Sequence, residues 1–450
     1  MHVGAVLVFE AGPLELRHGG IDIERVRAYT AGRLSRAPRA QQRSVELVLG
    51  RLPVWIDDPF FDLAYHVRHV ALARPGDERQ LKRLAARIFS QALDREKPPW
   101  ELWIVEGLDD NRFALIAKVD KALLAGHDGF DPLALLASSA PDEAIAAAPR
   151  IESRPTPGRV ARMRAELARR AREVALPEVV GGALGHGLRG ALNALERALA
   201  SRALLPLTGP AGPHRRVEWL ALDQADLRLL GERLGGSTQA ILLATLAGAL
   251  RVFLARRGLE ADHLIVRALT PMRVGEGAGE TAAPLVLLPV SESDPLLRLA
   301  ALRGVPDESA ASGESAASDE SAADGGAELS VLRDLARLHS AAASGRPASL
   351  CVSSLFPPTS PLFLLGSVLR ECIAVAPLLP GHTLGISVTH FDGRATLGFS
   401  GDAALVADLP LFADAVAASF DELRRLASAS VHPKRSRADQ ARMRNHGAEA

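Results

Sequence analysis

Residues 93–108 read LDREKPPWELWIVEGL, and residues 112–119 read RFALIAKV after a short polar turn. Apolar runs of this length between turn signals are typical of β-strands. Before them, RQLKRLAARIFS places Leu81, Leu84, Ala85 and Ile88 on one side of a helix over residues 79–90. The opening MHVGAVLVFE alternates as a half-buried strand does. This mixture of strands and amphipathic helices predicts an α/β (α+β) fold.

The rest of the chain divides by composition. We expect a first lobe over residues 1–140, an Ala/Arg/Gly-rich helical linker over 141–215, and a second lobe over 216–430 with a long apolar helix over Thr238–Arg256. Residues 305–327, VPDESAASGESAASDESAADGGA, are acidic and of low complexity, which predicts a disordered insertion. Residues 431–450 are polar and basic, which predicts a disordered tail.

Composition excludes several classes of protein. The 450 residues carry 53 Lys+Arg and 53 Asp+Glu, and this zero net charge argues against a nucleic-acid-binding protein. Two cysteines are too few for a disulfide scaffold or a cysteine zinc site, and we expect no metal. The longest apolar run is interrupted by Arg251, and the first ten residues lack the basic start of a signal peptide. We expect a cytoplasmic protein that can contact a membrane or lipid body peripherally.

Several ordered segments resemble the wax ester synthase/diacylglycerol acyltransferase (WS/DGAT) family of bacterial O-acyltransferases. They are MHVG, HVRHVALARPGD, LDREKPPWELWIVEGL, LLATLAGALRVFLARRG, FDGRATLGFSGD and FADAVAASFDEL. The resemblance covers nearly the whole chain and implies two chloramphenicol-acetyltransferase-like (condensation-domain-like) lobes with a tunnel between them. It implies acyl-CoA as co-substrate or ligand, diacylglycerol or a long-chain alcohol as acceptor, and no cofactor. Family members also carry residues before the first strand, so either the start is misassigned or the usual first helix is absent.

The family's HHxxxDG motif aligns with DKALLAG, residues 120–126. Asp120 stands at the first His, Lys121 at the second His, which is the family's general base, and Ala125 at the Asp, while Gly126 is retained. Histidine suits this role because its pKa lies near neutral pH, whereas that of lysine begins near ~10.4. His127 is a candidate substitute, although an exposed or helix-capping role is the simpler interpretation. Nearby Asp128 and Asp131 are also expected to cap a helix rather than to hold a metal.

Polar positions of the second lobe have changed as well. The family's Asn-Asp pair becomes Gln239-Ala240, and Ser354 replaces the Asn of an SNVPGP-like segment. This pattern predicts an impaired enzyme that binds acyl-CoA or lipid, or that pairs with an active paralogue. The alternative is an active O-acyltransferase that uses Lys121 as an unusual base.

Overall fold

The computed structural model describes residues 2–47, 50–125, 129–141, 145, 207–273, 281–306, 329–343, 348–358 and 361–430, with backbone alone at 46, 47, 50–53, 272, 273 and 430. Most of the linker, nearly all of the acidic insertion and the whole tail lie outside these ranges. The strands are β1 (His2–Glu10), β2 (Gln42–Leu47), β3 (Gly50–Asp57), β4 (Val67–Ala71), β5 (Trp100–Leu108), β6 (Arg112–Asp120), β7 (Arg215–Asp223), β8 (Val266–Leu269), β9 (Met272–Arg273), β10 (Thr281–Ala282), β11 (Leu285–Leu288), β12 (Leu350–Leu355), β13 (Phe363–Leu364), β14 (Ser367–Val375), β15 (Leu384–Phe391) and β16 (Arg394–Asp402). The helices are α1 (Ile23–Arg33), α2 (Leu63–His66), α3 (Glu78–Ser90), α4 (Lys121–Leu124), α5 (Pro132–Leu136), α6 (Gln224–Leu234), α7 (Thr238–Arg256), α8 (Pro295–Leu302), α9 (Val331–Ala343) and α10 (Leu409–Ser430).

Two six-stranded sheets organise the two lobes. The first has the order β13-β14-β1-β6-β5-β4 and the second the order β11-β8-β12-β15-β16-β7. Strands β1 and β6 in the middle of the first sheet are buried on both faces, which explains why they are almost continuously apolar. The expected two-lobed α/β fold is therefore confirmed.

Helix α3 covers one face of the first sheet. Asp77 and Gln80 form a capping box at its start, and the predicted stripe Leu81, Leu84, Ala85 and Ile88 is buried against that sheet. The opposite face holds the larger core of the lobe, to which α1, α5 and α9 contribute. Helix α7 lies in the core of the second lobe; it alone among the described helices is long and apolar enough to cross a membrane, but 78% of its apolar window is buried within the protein.

The chain does not stay within one lobe after residue 216. Strand β14 pairs with β1 in the first sheet, with Gly4 opposite Val375 and Leu7 opposite Cys372. Residues 363–375 thus complete the first lobe, in contrast to the expected second lobe over 216–430. Sequence pattern did not reveal this because strand pairing between distant segments leaves no local signal.

Strand β14 also forms the joint between the two sheets. Ser387 donates from Oγ to the Ala374 carbonyl at 2.7 Å, and the Ala374 N–H donates to Thr389 Oγ1 at 3.3 Å. At Gly398 a Cβ atom would lie 2.2 Å from the Ala374 carbonyl oxygen, so glycine allows the close approach of β14 to β16.

Candidate functional site

The segment aligned with HHxxxDG begins where β6 ends. Asp120 is the last residue of β6 and lies opposite His2 of β1 in the sheet. Its carboxylate accepts a hydrogen bond from the Ala122 N–H at 2.9 Å and thereby caps α4. At the position of the first family His, this chain therefore has a helix-capping carboxylate.

Lys121, which sequence analysis aligns with the second His of the motif, is the first residue of α4 and is half-buried. On α9, burial is the main cause that lowers the pKa of His339, and the charge of Lys121 is the last of the named influences. Sequence analysis did not identify this histidine.

His339 is only 1% exposed, and neither of its ring nitrogens makes a hydrogen bond of normal geometry with the described residues. Burial lowers its pKa to about 4, against the opposing influence of the Leu335 and Pro377 carbonyls. His339 is thus a neutral imidazole at pH 7. In the sequence, the only indication of a buried histidine here was its position on the apolar face of an amphipathic helix.

Asp131 is a buried carboxylate that follows the aligned segment. Asp131 is 3% exposed and accepts hydrogen bonds from the Leu133 N–H at 2.9 Å and from the Arg333 N–H at 3.0 Å. Arg333 also donates from Nη2 to the Gly129 carbonyl at 3.2 Å. Asp131 therefore caps α5, as predicted, and also attaches the segment to α9. Burial raises its pKa to about 7.

The remaining candidates near the motif are placed differently. Ala125 is exposed and carries no polar group, whereas Gly126, His127 and Asp128 lie outside the described residues. That His127 takes the place of the family's general base therefore stays a prediction.

The second-lobe positions Gln239 and Ser354 do come together. Ser354 donates from Oγ to Gln239 Oε1 at 3.3 Å, while Ala240 is buried in the core of that lobe. Gln239 is 4% exposed, and its Nε2 has no hydrogen-bond partner within the described ranges. The buried amide nitrogen of Gln239 can therefore still donate a hydrogen bond to another oxygen.

A cavity of about 250 Å³ lies where the two lobes meet. Its walls come from β1 and α3 of the first lobe, β7 and β16 of the second, and the chain that leaves β14. His2 and Arg215 are its ionisable lining residues. The described residues thus include a cavity shared by both lobes, and a tunnel that continues through the molecule stays a prediction.

The described part of the chain contains no group of three His, Cys, Asp or Glu side chains that could hold a metal ion. Its two cysteines are buried and unpaired, and burial raises the pKa of each thiol to about 12. Cys351 and Cys372 therefore behave as small apolar residues.

Comparison with known proteins relates this geometry to a family. The model of the wax ester synthase/diacylglycerol acyltransferase catalytic domain matches residues 1–240, and that of the WS/DGAT C-terminal domain matches residues 281–424. A putative diacyglycerol O-acyltransferase of Mycobacterium tuberculosis is 29% identical over 391 residues, which cover 82% of this chain and 76% of the relative. A probable diacyglycerol O-acyltransferase of the same organism is 42% identical over 127 residues, 28% of this chain and 45% of the relative.

A solved structure shows the same fold. The wax ester synthase/diacylglycerol acyltransferase from Marinobacter aquaeolei VT8 aligns with a TM-score of 0.63 and 22% identity over 95% of each chain.

Proposed function

The chain belongs to the wax ester synthase/diacylglycerol acyltransferase family, and from that premise we propose that it binds an acyl thioester and a hydroxyl-bearing lipid between its lobes without acyl transfer through residues 120–126. The family domains extend over both lobes. The shared cavity supports a ligand site between them.

One observation carries the proposed loss of transfer. A general base must offer a lone pair to the acceptor hydroxyl at neutral pH. Asp120 accepts a hydrogen bond from the backbone of α4, and neither position 120 nor position 121 carries the imidazole that the family motif has there. We propose that Asp131, which accepts hydrogen bonds from the Leu133 and Arg333 N–H groups, takes over the structural role of the motif Asp. Asp120 and Asp131 on either side of the motif's end thus make backbone hydrogen bonds, while the histidine that takes the proton in the family is absent from the aligned positions.

The experiment is an acyl-transfer assay with the full chain, palmitoyl-CoA and either diacylglycerol or hexadecanol. We expect no release of CoA above the protein-free rate, while calorimetric titration with palmitoyl-CoA detects binding. A family member with an intact motif serves as the positive control. Clear turnover that Lys121→Ala abolishes would overturn the proposal in favour of the lysine-dependent acyltransferase. The absence of palmitoyl-CoA binding would refute the ligand site.

A second set of variants separates the motif from the rest of the site. Asp120→His, Lys121→His and Ala125→Asp together rebuild the family motif. We expect the triple variant to remain inactive because Gln239 and Ser354 also differ from the family pattern. Restored turnover would show that the changes at positions 120, 121 and 125 alone account for the loss of activity.

Location and partners extend the proposal. We propose a cytoplasmic protein that contacts a lipid surface, and pairing with an active paralogue stays a prediction. Flotation with anionic vesicles at two salt concentrations tests the lipid contact, because surface attraction weakens as salt screens charge.

A further inference from the structure

His2 lines the cavity between the lobes and has a fixed proton arrangement. Its Nε2 lies 2.9 Å from the Phe89 carbonyl oxygen. A carbonyl can only accept, so Nε2 carries the proton and donates it. Burial, followed by the charge of Lys118, lowers the pKa of His2 to about 4. The ring is therefore neutral at pH 7, and Nδ1 carries a lone pair.

That lone pair is not used by any residue that the structure describes. His2 Nδ1 makes no hydrogen bond within the described residues, and it is not among their fully buried polar atoms. The lining also includes apolar side chains such as Phe89, Val217 and Leu378. A single acceptor in such a cavity orients a ligand, because the hydrogen bond is directional and the apolar wall is not.

Arg215 determines which ligand suits this acceptor. Arg215 lines the same cavity, its Nη1 donates to the Gly212 and His214 carbonyls and lies 3.9 Å from Asp402, and its charge is the last of the influences that lower the pKa of His2. A ligand ammonium would be repelled by this charge. A carboxylate would attract Arg215 but would have no hydrogen to donate to Nδ1. An alcohol can donate to Nδ1 and accept from a guanidinium with the same oxygen.

We propose that His2 is a specificity-determining residue whose Nδ1 accepts a hydrogen bond from the hydroxyl of an aliphatic alcohol in this cavity. The inference deepens the proposed function and rests on it, since it assigns the recognition of the acceptor hydroxyl to one side chain. The cavity is slightly smaller than the roughly 300–1,000 Å³ of drug-sized pockets. It therefore suits a short alcohol, or the hydroxyl end of a long one.

Two isomeric probes isolate the proposed bond. Octanol and heptyl methyl ether have the same atoms, but only octanol has a hydroxyl hydrogen. We expect the full chain to bind octanol about tenfold more tightly, which is the effect of one hydrogen bond in an apolar site. Equal affinities, or no binding of either probe, would overturn the inference whatever the variants do.

Two variants identify the acceptor atom. His2→Gln can still donate to the Phe89 carbonyl but lacks the Nδ1 acceptor, so we expect it to lose the preference for octanol and to keep its affinity for the ether. His2→Asn places an amide oxygen close to the position of Nδ1 and should restore part of the preference. An unchanged preference in His2→Gln would contradict the assignment.

Nitrogen NMR of the wild-type ring provides a readout that does not depend on variant folding. Octanol should shift the His2 Nδ1 resonance, and the ether should not. Palmitoyl-CoA titration is run in parallel. Palmitoyl-CoA binding without an octanol preference refutes only the role of His2, whereas an octanol preference without palmitoyl-CoA binding refutes only the proposed function.

Discussion

The two sides of the β1–β6 pair differ in how they use their polar groups. At the end of β6 and in the segment after it, Asp120 and Asp131 accept hydrogen bonds from backbone N–H groups. On neighbouring β1, His2 keeps one ring nitrogen without a partner among the described residues, and it lines a cavity. A polar group that already has its hydrogen-bond partners within the fold stabilises the structure. A polar group that has no partner and lines a cavity can form a hydrogen bond with a ligand.

The largest effect is expected at Asp131. Asp131→Ala leaves the Leu133 and Arg333 N–H groups unpaired in a buried setting, so the free energy of unfolding should fall by about 3 kcal/mol. Urea denaturation at pH 7 measures this change. Asp131→Asn keeps an acceptor oxygen for the two N–H groups and serves as the matched control, which should not show this loss at pH 7. If the alanine variant were within about 1 kcal/mol of the wild type, Asp131 would not be the anchor of the segment.

The second largest loss of stability is expected at Gly398, where β16 lies close to β14 at the joint between the two sheets. Gly398→Ala would drive a methyl group into the Ala374 carbonyl oxygen, which belongs to the backbone of β14 and cannot move aside. Overpacking of this kind should lower the free energy of unfolding by about 2 kcal/mol. Gly12→Ala is the matched control because its Cβ would meet nothing within 4 Å. Equal stability of the two variants would show that the lobes separate easily at this joint.

Sequence pattern predicted the parts of this molecule that depend on neighbouring residues. The apolar stripe of α3, the bounds Thr238–Arg256 of α7 and the cap at Asp131 all follow from local spacing and capping preferences. The pairing of β14 with β1 and the bond from Asp131 to Arg333 were not predictable. They join segments more than 200 residues apart, and nothing in either segment specifies its partner.

The candidate site divides in the same way. Alignment with the family motif identified Asp120, Lys121 and Ala125, and it drew attention to Gln239 and Ser354, which the structure brings into contact. It did not identify His2 or His339 as site residues. Their significance depends on burial and on unpaired ring nitrogens, and neither property can be read from a single sequence.

A pH series compares His339 with Asp131. The pKa of His339 is lowered to about 4 by burial, so between its unfolded value of 6.5 and pH 4 the unfolded chain binds more protons. The contribution of His339 to stability is therefore complete above pH 6.5 and is lost as the pH falls. Wild type should lose about 2 kcal/mol more than His339→Leu between pH 7 and pH 5. Parallel stability curves for the two proteins would contradict the buried neutral ring.

Asp131 should give the opposite sign in the same series. Its pKa is raised from 3.8 to about 7, so the folded chain binds the extra proton between these values. Its contribution is complete below pH 3.8 and is lost as the pH rises towards 7. Asp131→Asn, which cannot titrate, should remove this loss. The difference between variant and wild type should then grow in favour of the variant as the pH rises, which denaturation midpoints at several pH values will show.

The smallest effect is expected at Asp120, where it separates a structural role from a ligand-binding one. The residue is half-buried and caps a helix of four residues, so Asp120→Ala should lower the free energy of unfolding by about 1 kcal/mol. Asp120→Asn keeps a capping oxygen and should lose less. Neither change should alter the tenfold preference for octanol over its ether isomer, because the acceptor assigned to the hydroxyl is His2 Nδ1. If Asp120→Ala removed that preference while the fold remained intact, the ligand would be recognised on the β6 side of the pair, and the contrast between the two strands would be reversed.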